Sequence, residues 1–351
     1  MPKRNLSVDE TMIPYKGRVH FKQYMKAKPV KWGVKAWAMC ESDTGYMVDM
    51  NIYCGKSDHT ETGLTHKVVV DLVRQSGVAN QGYTVFTDNL YTSPALLLDL
   101  YNNFGTTGCG TLRINRRGIP KEICCKKPLG LTGRGNYVFR CQNPLLAVTW
   151  MDKKAVHFMS TCHDVSATTC FRTERRNNKF VRVEYPQPNI AAGYTSYMGG
   201  VDRCDQFIQY YSFGRKTVKW TKRVFFKLLE ISKSNALILY NQSPNHQPAA
   251  EKPKMTLLQF TIKMISSLIG GQQNPNKRGR PRTVIVADEL RLTARHFPVR
   301  LPNKSWCHVC WRRVADGRQN TRRQSVFGCS DCGKHLCIPE CFTVYHTVQN
   351  Y

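Results

Sequence analysis

The sequence predicts an α/β protein in which a mixed sheet packs against helices and is followed by a small cysteine-rich module. Three observations support this. Strand-like and helix-like segments alternate through the first 115 of the 351 residues, as expected for a sheet covered by helices. Helical periodicity returns after residue 195. Six of the 15 cysteines lie in paired spacing after residue 300, which is typical of a metal module.

The first part of the core, residues 1–115, begins with a short apolar segment that ends at Pro14 and is typical of a strand. A hairpin follows, with the turn-like sequence ESDTG between its strands. Ser93 is placed to cap a helix that has Pro94 at its first position. The predicted strands cover residues 6–13, 33–40, 45–53, 83–88 and 106–113, and the predicted helices cover 66–74 and 93–103.

The rest of the chain divides into four segments. Residues 116–195 form a predicted β-rich insertion, with short antiparallel strands in YVFRC, LLAVTWM and AVHFMST. Its end is predicted at YPQPN, because two prolines discourage regular structure. The second, helical part of the core covers 196–243. A helix and a basic linker occupy 244–300, and a zinc module is predicted over 301–351.

The charge indicates the class of partner. Lys and Arg number 52 against 24 Asp and Glu, a net charge of +28. Such an excess indicates a polyanionic partner, most often nucleic acid. A basic protein without such a partner is the alternative, but the repulsion among its positive charges would then have to be offset in another way. The sequence has no apolar run of 18 residues and no apolar leader, so neither a membrane partner nor export is expected.

Four aspartates stand in distinctive settings. Asp9 lies in the first strand, Asp88 ends a later strand, and Asp202 and Asp205 lie three apart near a predicted helix start. Carboxylates from a strand, a second strand's end and a helix could converge at the carboxyl edge of a mixed sheet and hold two Mg²⁺ ions. The alternative is a set of solvated or capping aspartates, since 24 acidic residues offer many such combinations.

Four blocks resemble consecutive signatures of the piggyBac family of DNA transposases. They are LSVDETMIPYKGRVHFKQYMKAKPVKWGVKAW, FTDNLYTS, YMGGVDRCDQ and RKTVKWTKRVFFKLLE. The resemblance implies an RNase H-like catalytic domain split by an insertion. It also implies that Asp9, Asp88 and Asp202 form a magnesium-binding catalytic triad, with Asp205 at a further acidic position beside it.

The resemblance further implies cut-and-paste transposition. Strands are cleaved at the transposon ends, a hairpin forms and opens, and the ends join double-stranded DNA at TTAA in the nucleus. The family carries a dimerisation and DNA-binding region ahead of the first catalytic aspartate, whereas eight residues precede Asp9 here. A chain truncated at its N-terminus, and a homodimer when full length, are therefore expected. The alternative is a non-catalytic, domesticated or truncated DNA-binding protein.

The C-terminal segment carries a strong zinc signal. Cys307 and Cys310 form one Cys-x2-Cys pair, and Cys329 and Cys332 form another after 18 residues; such pairs place two thiolates on one ion. Reduced cysteines without metal are the alternative. The resemblance implies a cross-brace finger that recognises the transposon end, with one or two zinc ions. Cys337 and Cys341 would join the first pair, and His346 the second. The eighth ligand stays open between His335, His308 and a residue beyond the C-terminus.

Two basic segments are candidate DNA contacts. KRGRPR resembles the core of an AT-hook, in which a slim glycine lets two arginines enter a narrow minor groove. A charged linker or nuclear-import signal is equally consistent with it. Lys219 and Lys222 flank Trp220 and could present ammonium groups to phosphate, although packing of the tryptophan in the core explains the pattern as well. The AT-hook candidates are Lys277, Arg278, Gly279, Arg280 and Arg282.

Overall fold

The computed structural model describes residues 2–26, 28–55, 63–125, 131–176, 178–212, 214–243, 254–269, 292 and 295–351. The chain divides into two units, Met1–Leu268 and Ile269–Tyr351, and each is described by itself. Within these ranges no helix has the length and apolarity needed to cross a membrane.

A nine-stranded mixed sheet forms the centre of the first unit. Its strands are β1 (Asn5–Pro14), β2 (Lys22–Tyr24), β3 (Trp32–Glu41), β4 (Met47–Ile52), β5 (Thr84–Thr87), β6 (Thr107–Thr111), β7 (Tyr137–Gln142), β8 (Leu145–Met151) and β9 (Ala155–Ser160). Their order is β2-β3-β1-β5-β6-β9-β8-β7, with β4 paired to β3. β1, β5 and β6 run parallel to one another, so the sheet is mixed as predicted.

Helices cover both faces of the sheet. They are α1 (Leu64–Gln75), α2 (Pro94–Phe104), α3 (Asn189–Tyr197), α4 (Gly200–Tyr210) and α5 (Trp220–Gln242), whereas α6 (Leu257–Leu268) packs on α5. Leu6 and Val8 pack on α1 and α2, whereas Ala38 and Cys40 pack with α4. Side chains alternate between faces along a strand, so apolar residues on both faces of β1 and β3 follow from helices on both sides.

The three strands predicted within residues 116–195 are β7, β8 and β9, and two further strands that were not predicted follow them. β7, β8 and β9 continue the central sheet, because β9 pairs with β6. β10 (Ala167–Arg176) and β11 (Lys179–Pro188) form a separate two-stranded ribbon. β11 ends at Pro188, within YPQPN as predicted, but the expectation that the two prolines disrupt regular structure is wrong, because β11 runs through Pro186 to Pro188. A two-stranded ribbon leaves one edge of each strand free, where a proline has no hydrogen bond to donate.

The second unit is a small module of short elements. They are β12 (Pro298–Trp306), α7 (His308–Ala315), β13 (Gln324–Cys329), β14 (Lys334–His335) and α8 (Glu340–Thr347). Its buried cluster consists largely of cysteines, with Val309, Leu336 and Tyr345 among the few large apolar side chains. So little apolar burial makes bound metal the expected source of its folding free energy.

Candidate active site and metal sites

Asp9 and Asp88 lie side by side where two parallel strands stop pairing: Asp88 directly follows β5, and Asp9 lies within β1, which continues to Pro14. β1 and β5 pair in parallel as far as Val8 and Thr87, and each aspartate is the next residue. The carboxyl ends of parallel strands meet at one edge, which is where α/β sheets place ligand sites. The Asp9 carboxylate accepts the Glu10 N–H at 2.7 Å, and that of Asp88 accepts the Leu90 N–H at 2.8 Å.

Helix α4 brings Asp202 to the same edge. Its first residue is Gly200, which packs so closely on the sheet that a Cβ there would lie 2.4 Å from Ser7 Oγ and 2.9 Å from the Glu41 carbonyl oxygen. Ser7 and Asp9 share a face of β1 because they are two residues apart. Close approach of α4 to that face therefore places Asp202, in its first turn, near Asp9.

A lysine lies between these two carboxylates. Lys28 Nζ is 3.8 Å from Asp9 Oδ2 and 3.8 Å from Asp202 Oδ1, and it donates to the Glu10 carbonyl oxygen at 2.9 Å. An ammonium between two carboxylates marks a position that attracts positive charge. The oxygen donors of Asp9, Asp88 and Asp202 are of the type that a hard divalent cation such as Mg²⁺ prefers. Among the described residues, however, these three carboxylates do not form a group whose ligand atoms all lie within 4.8 Å of one another, as the Cys/His sets of the second unit do.

Burial disfavours the ionised forms of Asp9 and Asp88. Desolvation raises the pKa of Asp9 to about 7, helped by the charges of Glu10 and Asp88 and opposed by Lys28. Desolvation also raises the pKa of Asp88, with a further contribution from Glu10. Removing carboxylates from water without enough positive charge favours protonation. A cation bound between these carboxylates would favour their ionised forms and lower their pKa values.

Asp205 faces the same strand but has its own partners. Its Oδ1 accepts from Thr11 Oγ1 at 2.6 Å and from Lys227 Nζ at 3.0 Å. The Lys227 side chain is only 6% exposed, so Asp205 neutralises a buried charge carried by α5. These contacts join α4 to β1 and α5, and they hold the helix that carries Asp202.

The second unit contains two sets of potential metal ligands, and in each set the ligand atoms lie within 4.8 Å of one another. The first consists of Cys307, Cys310, Cys337 and Cys341, as the resemblance implied. All four are free thiols. Burial, together with the Cys307 thiol, raises the pKa of Cys337 to about 12 and also raises the pKa of Cys341. Four close sulfur atoms with little exposure are typical ligands of tetrahedral zinc.

The second set contains a ligand that the sequence analysis missed. Cys329 and Cys332 lie with His346, as expected, but the fourth member is His296. His296 Nδ1 is 3.3 Å from Cys329 Sγ and 3.6 Å from Cys332 Sγ, and Cys332 Sγ is 3.5 Å from His346 Nε2. His346 Nδ1 contacts the Phe342 carbonyl oxygen at 2.8 Å, which is a common way to orient a histidine ligand.

The two histidines considered for this position have other contacts. His335 Nδ1 lies 3.1 Å from the Ser325 carbonyl oxygen, and His308 packs edge-on against Tyr345. The ligands of the two sets alternate along the chain, so the module has the predicted cross-brace arrangement. The signal in the sequence for a further ligand was that seven candidates were available, whereas two four-ligand sites need eight. Nothing in the local sequence around His296 marked it as the eighth.

The basic candidates divide between packing and exposure. Trp220 packs edge-on against Phe21 at 5.1 Å between ring centroids and belongs to an apolar cluster, so its role in the core is structural. Lys219 and Lys222 beside it are exposed and are accessible to phosphate. The AT-hook candidates Lys277, Arg278, Gly279, Arg280 and Arg282 lie outside the described residues.

Comparison with known proteins gives consistent matches. A family model described as Transposase IS4 matches residues 1–237. Human PiggyBac transposable element-derived protein 3 is 26% identical over 358 residues, which cover 97% of this chain and 55% of that protein. Human PiggyBac transposable element-derived protein 2 is 23% identical over 318 residues, 87% of this chain and 51% of that protein. The chain thus spans about half the length of these relatives.

A solved structure shares the fold. It is the cryo-EM structure of a piggyBac transposase synaptic complex with hairpin DNA, with a TM-score of 0.65 and 23% sequence identity over 96% of this chain and 68% of that one. The match, together with the mixed sheet and the two Cys/His sets, confirms the predicted fold class.

Proposed function

The chain belongs to the Transposase IS4 family and is a relative of the piggyBac transposases, and on this premise we propose that it cleaves and joins DNA strands by metal-dependent phosphoryl transfer. The observation that carries the proposal is the position of Asp9 within β1 beside the end of β5, which Asp88 directly follows, with Lys28 Nζ 3.8 Å from both Asp9 and Asp202. Oxygen ligands around a position that already attracts a cation are suited to this chemistry.

In this proposal Asp9, Asp88 and Asp202 hold two Mg²⁺ ions. When bound, such ions activate the attacking oxygen and stabilise the leaving oxygen of an in-line displacement. Asp205 acts through its ion pair with Lys227 and its hydrogen bond with Thr11, which fix α4 against the sheet and keep Asp202 in place. Lys28 supplies a positive charge at the site beside any bound metal.

The substrate is proposed to be double-stranded DNA, cut at transposon ends and joined at TTAA, with the chain acting in the nucleus as part of a homodimer. The net charge of +28 supports a DNA partner. We assign zinc to both Cys/His sets of the second unit, because thiolate and imidazole are its preferred ligands. This module is proposed to bind the transposon end, and KRGRPR to contact A·T-rich DNA.

Excision of a TTAA-flanked cassette in cells, paired with a strand-cleavage assay on the purified chain, tests the proposal. Asp9→Ala, Asp88→Ala and Asp202→Ala should each abolish Mg²⁺-dependent cleavage without loss of DNA binding. Asp43→Ala is the matched control, since Asp43 is exposed and pairs only with Lys3 among the described residues. Undiminished cleavage by the Asp9 and Asp88 variants would refute their roles.

The alternative function is DNA binding without catalysis. It is favoured by the second unit, whose metal-ligand sets do not depend on the aspartates. A purified chain that binds transposon-end DNA with steep salt dependence, but does not cleave it when Mg²⁺ is present, would establish this alternative in place of the first.

A further inference from the structure

A basic cleft of about 560 Å³ lies in the first unit. Its walls come from the end of β1, the segment that leads into β3 and the segment that leads into α5. Twelve residues line it, of which five are Lys or Arg, and none of these twelve is acidic. The basic residues are Lys16, Lys31, Arg215, Lys216 and Arg223. So many cations with no compensating carboxylate in the lining indicate an anionic ligand.

The cleft is held open by hydrogen bonds between its walls. Tyr15 Oη donates to the Val218 carbonyl oxygen at 2.6 Å. Arg223 Nε donates to the Pro14 carbonyl oxygen at 3.0 Å, and its Nη1 donates to the Arg215 carbonyl oxygen at 3.3 Å. These contacts tie the end of β1 to the segment before α5, so the site is formed before a ligand arrives.

An exposed aromatic pair stands at the edge of the cleft. Trp32, which lines the cleft, faces Tyr24 across the β2–β3 register, and their ring centroids are 4.8 Å apart. Tyr24 is 51% exposed and Trp32 is 48% exposed. Lys22 Nζ lies 5.2 Å from the Trp32 centroid. Exposed aromatic rings beside cations are the usual platform on which proteins stack unpaired bases.

The cleft adjoins the aspartate site through one short stretch of chain. Lys28 contacts Asp9 and Asp202, and Pro29, Val30, Lys31 and Trp32 follow it directly along the wall of the cleft. Four residues span at most about 14 Å. A DNA strand that enters the aspartate site therefore reaches the aromatic pair within a few nucleotides.

We propose that this cleft binds single-stranded DNA, with an unpaired base stacked on Trp32 and Tyr24 and the basic side chains on its phosphates. Single-stranded DNA is required because the bases of a duplex already stack on one another and offer no free face. This inference rests on the proposed function in one respect: the bound DNA strand is taken to be the one that enters the aspartate site for cleavage. Binding itself needs neither metal nor cleavage.

Fluorescence anisotropy with a short single-stranded oligonucleotide and its duplex tests this on the zinc-loaded full chain in magnesium-free buffer. Trp32→Ala and Tyr24→Ala should each weaken single-strand binding by about five-fold or more, with a smaller effect on the duplex. Tyr101→Ala is the control, since Tyr101 is 44% exposed on α2 and should have no effect. Trp32→Phe keeps an aromatic face and should retain most binding, which separates stacking from loss of folding.

Photocross-linking locates the base. A single strand carrying 5-iodouracil should cross-link to a peptide that contains Trp32 or Tyr24, and the Asp9→Asn variant should cross-link equally well. Retained cross-linking with no cleavage by the wild-type chain would leave this inference standing while the proposed function fails. Cross-links confined to other peptides, or equal losses in the Tyr101→Ala and Trp32→Ala variants, would overturn it.

Discussion

Replacing Asp9 by asparagine should stabilise the metal-free protein while it removes a proposed metal ligand. The pKa of the Asp9 carboxyl rises from its usual 3.8 to about 7, and its side chain is only 18% exposed. Each unit corresponds to about 1.4 kcal/mol, so ionised Asp9 costs about 4 kcal/mol at pH 8. Asparagine carries no charge but loses the contact with Lys28, which leaves an expected gain of about 2–4 kcal/mol.

The sign follows from proton uptake. Below pH 3.8 the carboxyl is protonated in both the folded and unfolded chains and carries no cost. Between pH 3.8 and about 7 the folded chain binds the extra proton, so wild-type stability falls as the pH rises, and above that window the cost is constant. The advantage of Asp9→Asn should therefore be largest at pH 8 and smaller by about 3 kcal/mol at pH 5.

Differential scanning calorimetry of the zinc-loaded chain in magnesium-free buffer measures this effect. For a unit of this size the midpoint of the first unit should rise by about 4 °C or more at pH 8. Asp205→Asn is the matched control, because it leaves Lys227 buried without its carboxylate and should destabilise by about 3 kcal/mol or more. If Asp9→Asn were no more stable than wild type at pH 8, burial would not be the source of the shift.

Three further predictions concern the supports of these sites. Gly200→Ala should destabilise the first unit by about 1–3 kcal/mol, because its Cβ would meet Ser7 and Glu41; urea denaturation would test it, and an unchanged midpoint would argue against close packing of α4. Lys28→Met should lower the stability of the magnesium-free protein at pH 8 by about 1 kcal/mol, since it removes the charge that lowers the pKa of Asp9. The loss relative to wild type should be smaller at pH 5, where Asp9 is largely protonated, and an equal loss at both pH values would contradict this. His296→Ala should reduce bound zinc from two ions to one per chain by atomic absorption, while His335→Ala retains both; the reverse result would reassign the ligand.

Much of the fold could be predicted from local sequence pattern. The apolar segment of β1 that ends at Pro14, the Ser93 cap with Pro94, and the helical period of α5 are features of neighbouring residues. The ribbon was harder to predict. The local sequence predicts that Pro186 and Pro188 interrupt regular structure. At the free edge of a two-stranded ribbon, however, proline is tolerated because no backbone N–H is needed there. That β9 joins β6, and so brings three strands of the 116–195 segment into the central sheet, depends on pairing across about 50 residues of chain.

The sequence by itself determined the chemistry available to this protein: four aspartates in recognisable blocks, two Cys-x2-Cys pairs and a large positive charge. Only the tertiary structure decided which groups meet. It placed Lys28 between Asp9 and Asp202, assigned Asp205 to Lys227, and brought His296 to a cysteine pair more than 30 residues later. Residue type and spacing report local geometry, whereas these contacts arise from strand register and helix packing, which bring together residues that no local pattern connects.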